Sequence, residues 1–535
     1  MSHRPLVVAS LVAGVLAIVG VITWTLTRPR WDPPERPNFL FLAVDDLNAI
    51  VGFLGEQPGS PLRTIYPDAA RRAEVRKRLT PNLDRLAASG RAFHRAYCPA
   101  PLCGPSRTAI LTGVPAHTSG YHLHRQNFRE CPPLAAAVTL PQWLRQHGWF
   151  TAGVGKIFHR SKPEPQGDGR VADWTDRELS WDAFPYRYEG GPPHKQDVTS
   201  KYNAPDTYIR YGITHTPVAQ MHDYQNACFI AELLTKGTAS LQTVDKQMAA
   251  VTLPEDRPFF LACGLFAPHF PWCVPAEYFA RFPTEEMAID ESTLRSWRSD
   301  TDDLPRFGLD ITAVPDDSRN ELQSFLKRAL AADGPAALVP LMRELNQAYL
   351  ATLAFADTCL GVMLDGLDAS PRAKDTIVVL WGDNAFHLGE KARLGKMALW
   401  DEATHTVLVL RVPGQPEPGV GVTTPVSLQG IFKTITDCAG LSTPPQVQGT
   451  SLLPWITDPR RSGPPVLTSM GFGLHAVRDE RWCYIRYRAD QQELYDDQAD
   501  PDQLRNLAGS PEHANVIARL AALLPTNEAP LFERR

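Results

Sequence analysis

Four short apolar runs lie far apart in the chain, and each stops at polar or charged residues. This pattern constrains the fold more than any other feature. Asn38 to Val44 (NFLFLAV) runs into Asp45-Asp46, and Trp149 to Val154 into Gly155-Lys156. Phe259 to Phe266 leads to Pro268-His269-Phe270-Pro271, and Thr376 to Trp381 ends in Gly382-Asp383-Asn384. Near-continuous apolar runs of this length read as strands buried on both faces, as in a parallel sheet. Helical patterns lie between them. Thr80-Pro81 to Ser89-Gly90 has Thr as N-cap, Pro at the first helical position and Gly at the stop. Leu140 to His147 closes at Gly148, and Glu344 to Leu367 is long and mostly apolar. The alternation implies an α/β fold, a largely parallel central sheet flanked by helices. Ligands of such sheets bind beyond the carboxyl ends of the strands. One polar strand end reads equally well as a solvent-facing loop; four of them are expected to converge on one edge.

After Pro413 the character changes. Ser427 to Ala439 reads as a helix, Leu474 to Arg488 as a hairpin turning at Asp479-Glu480, Glu493 to Asp496 as a short strand and Glu512 to Leu524 as a terminal helix. Strands followed by one helix suggest a smaller C-terminal α+β subdomain. The polar stretch Thr284 to Pro340 reads as an irregular insertion. The expected organisation is an N-terminal membrane anchor or signal segment at 1–30, a Pro-rich linker at 31–37, a main domain at 38–460 and the subdomain at 461–535; 535 residues are too many for one compact core.

Leu6 to Leu26 is about as long as the ~20 apolar residues that span a bilayer. It lacks a small-residue cleavage site, so an uncleaved anchor with the following domain outside the cytoplasm is expected over a cleaved signal. Basic residues on both flanks (Arg4; Arg28 and Arg30) leave its orientation open. The net charge of -5 favours neither nucleic acid nor an anionic membrane surface as a partner. A protein of this charge that handles an anion must gather cations locally. The nine cysteines show no CxxC pair and no zinc spacing, and read as buried small hydrophobes.

The segment Cys103-Gly104-Pro105-Ser106-Arg107 leads to Leu111-Thr112-Gly113. Pro105 suits the first turn of a helix, so Cys103 falls at or just before a helix N-terminus, where free N–H groups favour an anion. On these residues alone it is a low-pKa thiol or a buried cysteine beside a helix start.

This segment resembles the sulfatase family signature, C-x-P-S-R followed by a short helix and Leu-Thr-Gly, and the resemblance extends from about Arg36 to Leu524. The wording is most similar to the iduronate-2-sulfatase-type branch in Val154-Gly155-Lys156-Ile157-Phe158-His159, Pro268-His269-Phe270-Pro271 and His387-Leu388-Gly389-Glu390-Lys391. The resemblance implies that Cys103 is oxidised to formylglycine by a formylglycine-generating enzyme. It implies that Asp45, Asp46, Asp383 and Asn384, with the modified Cys103, hold a divalent metal. Oxygen ligands suit Ca2+, the family expectation, or Mg2+. Asn384 stands where the branch often has His, and Gly382 and Ala385 replace the commoner Ser and Gly. By motif, Arg107 positions the formylglycine, Lys156 and His159 hold nucleophile and sulfate, and His269 and Lys396 contact sulfate and the leaving oxygen. His387 is a weaker candidate for substrate binding.

The resemblance implies hydrolysis of a sulfate ester on a sulfated sugar or polysaccharide, with that carbohydrate as the expected substrate partner. The alternatives are a phosphodiesterase or phosphonate monoester hydrolase on the same scaffold, and a membrane-tethered binder of sulfated ligands with a dead site. Substrate contacts are expected from the loops Ser161 to Tyr224 and after Thr284, with Trp174, Trp181, Tyr186, Arg187 and His194 as candidates.

Overall fold

The structure, a computed structural model, describes residues 33–124, 127–160, 162–165, 171–187, 198–200, 211–310, 334–488 and 491–532. The apolar segment at 1–30 and His194 lie outside the described residues. The central sheet holds β1 (Asn38–Val44), β2 (Arg91–Tyr97), β3 (Phe150–Gly155), β4 (Phe259–Leu265), β5 (Thr376–Gly382), β6 (His405–Arg411) and β7 (Val426–Ser427). Their order is β7-β2-β6-β5-β1-β4-β3. All neighbours are parallel except β6, which runs antiparallel to both β5 and β2. The four runs with polar ends are therefore consecutive neighbours, β5-β1-β4-β3. The ladder carries on past the strands: Asp45 N–H donates to Leu265 O at 3.1 Å and Asp383 N–H to Val44 O at 3.3 Å.

The side chains of β1 alternate between two cores, as a two-residue period requires. Leu40, Leu42 and Val44 face one layer with α1 (Pro81–Ser89), α4 (His222–Lys236) and α6 (Gly334–Asp368). Phe39, Phe41 and Ala43 face the other, with α2 (Cys103–Thr112), α3 (Leu140–Gln146) and α7 (Ile431–Cys438). Pro340, read as the end of the insertion, lies inside α6, and that helix begins ten residues before the expected Glu344. It is long and apolar enough to cross a membrane, but 83% of that stretch is buried by the fold.

Two local readings change. Thr80 stands at the N-cap of α1, but its hydroxyl accepts from Gly52 N–H at 2.7 Å and gives the helix no cap. Two donors that the helix start leaves without an intrahelical partner, Asn82 N–H and Leu83 N–H, bond instead to the Asp357 carboxylate of α6, at 3.1 and 2.8 Å. The stretch read as an irregular insertion contains α5 (Glu291–Ser299), started by a reciprocal Asp290–Thr293 capping box. Trp297 of α5 packs on Gly389, where a Cβ would lie 2.2 Å from the ring, and so braces the loop toward Lys391.

The C-terminal subdomain is an antiparallel sheet, β8 (Val466–Gly471), β9 (Leu474–Arg478), β10 (Trp482–Arg488) and β11 (Gln491–Asp496), with α8 (Ala514–Ala521) against it. One face packs Trp482, Tyr484 and Leu494 on Leu520 and Leu524. The other packs Met470, Ala476 and Ile485 on Leu102 and on Met397 to Trp400. All nine cysteines are unbridged, and eight are buried.

Asp357→Ala leaves two helix-start donors without partners. We expect a loss of about 1–3 kcal/mol in urea unfolding; unchanged stability would show that the cross-helix cap contributes nothing.

Candidate active site

Helix α2 begins at Cys103 after an extended Leu102, and every residue from Cys103 to Thr112 is buried. The Leu-Thr-Gly ending has a local cause: Gly113 closes the helix at φ 72, with Val447 within 2.7 Å of a Cβ position. On this rigid element Ser106 Oγ donates to Asp383 O at 2.5 Å. The Arg107 guanidinium donates to Asp383 Oδ2 at 2.7 Å, to Asp45 Oδ1 at 3.3 Å, to Ile157 O at 3.1 Å and to Lys156 O.

Asp46 lies in the left-handed region at φ 54, a conformation Asp tolerates, and its N–H donates to Asp383 Oδ1 at 3.0 Å. Tyr349 of α6 pins this turn. Its hydroxyl donates to Asp46 O and accepts from Asn48 N–H, both at 2.9 Å. Lys156 follows β3 where Gly155 (φ 75) and Gly264 meet: a Cβ on Gly155 would lie 2.1 Å from Gly264 O. Lys156 Nζ donates to Asp45 Oδ2. Lys396 Nζ donates to Asp46 Oδ1 at 2.6 Å and lies 2.7 Å from Cys103 Sγ. His269 Nε2 faces Asp46 Oδ2 at 3.7 Å, while its Nδ1 bonds Phe270 O at 2.7 Å. Asn384 Nδ2 donates to Asp46 Oδ1 at 2.7 Å.

The charges explain one another. Burial opposes ionisation of Asp45, but Lys156, His269, Arg107 and Lys396 hold its pKa well below the usual carboxylate value. Burial, with Asp45 and Asp46 nearby, pushes Asp383 up to about 7 despite its bond to Arg107. Burial also opposes the charge of Lys396, yet Asp46, Cys103, Asp45 and Asp383 raise it well above the usual lysine value. The low-pKa thiol is corrected here. Cys103 does start a helix, but burial and then Asp45 push its pKa up, beyond what Lys396 and Lys156 offset.

Asp45, Asp46, Cys103, Arg107, Lys156, His269, Asp383, Asn384 and Lys396 thus form one network. His159 stands apart from these bonds. Its ring stacks on His124 at 4.3 Å and meets Trp174 edge-on at 5.7 Å, and neither nitrogen has a hydrogen-bond partner among the described residues. Burial, then His124, Lys156 and Arg160, hold its pKa well below normal, so it is neutral. His124 and Tyr349 were not legible beforehand, nor was the bond that Ser106 of the motif makes to Asp383; His124 sits in a loop with no motif, yet a Cβ on Gly104 would lie 2.5 Å from its Cβ. Trp181 is core, packed with Phe184 and Phe260, and Arg187 ties Gln225 and Gln242 together. His387 is fully enclosed, edge-on to Trp400, and Lys391 is paired with Asp300 at 3.0 Å.

The chain matches the sulfatase family model over residues 37–441. It belongs to the sulfatase family. It is 30% identical over 509 residues to a sulfatase of Formosa agariphila, covering 92% of this chain and 87% of that one. It is 26% identical over 452 residues to the human iduronate 2-sulfatase, covering 76% and 70%. Among solved structures it is similar to the phosphonate monoester hydrolase of Agrobacterium radiobacter, with TM-score 0.63, 21% identity and coverage of 91% and 94%. That likeness shows the fold. This sulfatase is a sulfuric ester hydrolase by family.

Its acidic cluster fits a hard divalent cation. Carboxylate oxygens of Asp45, Asp46 and Asp383 lie within 4.8 Å of one another. Asn384 Oδ1 is buried beside them with no partner among the described residues. Three crowded carboxylates and an orphaned amide oxygen are the donors such an ion takes. We expect added Ca2+ to raise the melting temperature of the purified protein, by the equivalent of about 2.7 kcal/mol at a hundredfold excess over Kd, and Asp383→Ala to abolish the shift. A shift that survives in the variant would place the ion elsewhere.

Proposed function

We propose that this sulfatase cleaves a sulfate ester on a sugar, with formylglycine made from Cys103 as nucleophile and a divalent metal held by Asp45, Asp46, Asp383 and Asn384. The observation that carries the reading is Cys103 Sγ at the start of α2, 2.7 Å from Lys396 Nζ and beside the acidic cluster. The sugar assignment is supported by the name of the human relative, an iduronate 2-sulfatase. The phosphonate hydrolase alternative is supported by fold alone.

A sulfate monoester carries its charge on sulfuryl oxygens and leaves a poor alkoxide. Ca2+ or Mg2+, when bound, supplies Lewis-acid stabilisation of those oxygens and favours the ionised nucleophile. The formylglycine hydrate supplies two geminal hydroxyls, one to take the sulfuryl group and one to expel it, which a serine lacks. The chain's own residues do the rest. Arg107 fixes Asp45 and Asp383 relative to α2. Lys156 and Lys396 add fixed positive charge where negative charge develops. Lys396 and His269 are assigned to protonate the departing alcohol. His159, neutral and with no hydrogen-bond partner among the described residues, suits the base that takes a proton as sulfate leaves.

We also infer that Leu6 to Leu26 anchors the chain with the catalytic domain outside the cytoplasm, where sulfated polysaccharides occur. Protease protection that shields the domain on the cytoplasmic side would overturn this.

The chemistry is tested on the tryptic peptide Ala96 to Arg107 after co-expression with a formylglycine-generating enzyme. We expect its mass to show the aldehyde at Cys103, and sulfated sugars to be hydrolysed faster than phosphonate esters. Cys103→Ala should lose at least about 10³-fold in kcat/KM, the scale on which losing a nucleophile registers. An unmodified thiol in a protein that turns over sulfate esters would refute the formylglycine route.

A further inference from the structure

After α8 the chain turns back from the subdomain and crosses to the catalytic domain. Ala529 N–H donates to His117 O at 2.8 Å, and Phe532 N–H to Gly120 O at 2.9 Å. The approach is close: a Cβ on Gly120, at φ 75, would lie 2.2 Å from Pro530 O, so glycine is required there. Phe532 packs against the apolar layer around α2 and α3. The crossing is fastened by Glu528, whose side chain is only 8% exposed. Its Oε2 accepts from Gly473 N–H at 2.9 Å and pairs with His475 Nε2 at 3.0 Å. The other nitrogen of His475 and Nδ1 of His117 share the Ser469 hydroxyl, at 3.0 and 3.2 Å.

The fastened segment leads into the site. His122 is buried, and neither ring nitrogen has a hydrogen-bond partner among the described residues. Leu123 packs in the cluster that holds Leu102 and Met397, the neighbours of Cys103 and Lys396. His124 follows, stacked on His159 and lying against Gly104. The tail therefore joins the β8–β9 hairpin, through Glu528, to the 117–120 turn, through Ala529 and Phe532, and that turn leads directly into the wall that carries His124.

We propose that residues 528–532 are a strap that positions the 117–124 wall of the active site through the Glu528–His475 pair, and that protonation of the buried His117 and His122 imidazoles in acid releases it. Glu528 is a positioning residue, and its role rests on the reading of the Cys103 network as the reacting site.

The acid sensitivity follows from what faces each imidazole. His117 faces His475 and Glu528; His122 faces His475, Glu528 and His117; His475 faces Glu528 and Arg486. One carboxylate serves three rings. Burial first, and then the neighbouring His475, holds both His117 and His122 down to about 4. A freed segment would protonate them near about 6.5. With folded values below the free ones, the contribution to closure is complete above about pH 6.5 and is lost as pH falls toward about 4.

The test compares the full chain, Glu528→Gln and a chain ending at Asn527. Amide hydrogen exchange, corrected for intrinsic pH dependence, follows residues 117–124 with α2 as internal reference. The segment should be protected at pH 7.5 in the full chain, deprotected in both variants, and progressively deprotected in the full chain as pH falls from about 6.5 toward about 4. On a sulfate ester, kcat/KM of the truncated chain should fall about tenfold or more, as small misplacements at a site do. A synthetic peptide of residues 525–535 should restore it saturably, and Glu528→Gln should lose activity most steeply on the acid side. Unchanged protection in both variants, or no restoration by the peptide, overturns the strap. A full chain with no turnover of any sulfate ester would instead sink the functional reading, and the exchange data would still judge the strap.

Discussion

Three carboxylates buried within a few ångströms of one another must share their space with positive charge, and this requirement organises the catalytic half of the molecule. The cations come from separate elements: Arg107 from α2, Lys156 from the end of β3, Lys396 from the loop after β5. Each element must be seated before the charges balance. Removing one partner of a buried pair strands the other, at about 3–5 kcal/mol. The complete burial of α2 is the structural consequence, because its arginine reaches both Asp45 and Asp383 only from inside the fold.

The sheet supplies the convergence. β1 lies between β4 and β5, and β3 lies beyond β4, so four strand ends open side by side on one edge. The parallel ladder continues into Asp45 and Asp383 and fixes the backbone of two acidic residues. The close passage of Gly155 and Gly264 lets Lys156 turn inward directly after its strand. Tyr349 then locks the Asp46 turn from α6, which links the long core helix to the site.

The C-terminal sheet is part of this arrangement. Its inner face covers the segments beside Cys103 and Lys396, Leu102 and Met397 to Trp400. Arg478 bonds Asp401 at 2.8 Å and also Leu399 O, which sets the chain that leads back to Lys396. The subdomain therefore acts on the site through backbone placement.

The four apolar strands with polar ends, the α/β class, the helix start at Cys103 and the residue types of the charged cluster were legible in the sequence, because buried parallel strands and helix starts leave local signatures; β2, β6 and β8 were not read. The capping box at Asp290 was present and could have revealed α5. Thr80 misled, since its hydroxyl was claimed by Gly52 across a loop while Asp357, far along the chain, took the helix donors. His124 carried no local signal. Its place beside His159 and Gly104 exists only once the loop after Gly113 is folded back over α2. Trp181 and Trp174 share a loop and a residue type, yet one is core and the other meets His159. The sequence by itself determined the α/β class and the sulfatase family, because those depend on residue types in local patterns. The tertiary structure alone decided which strand ends are neighbours, which cation faces which carboxylate and which loop side chains reach the site, because those are contacts between segments whose separation no local pattern records.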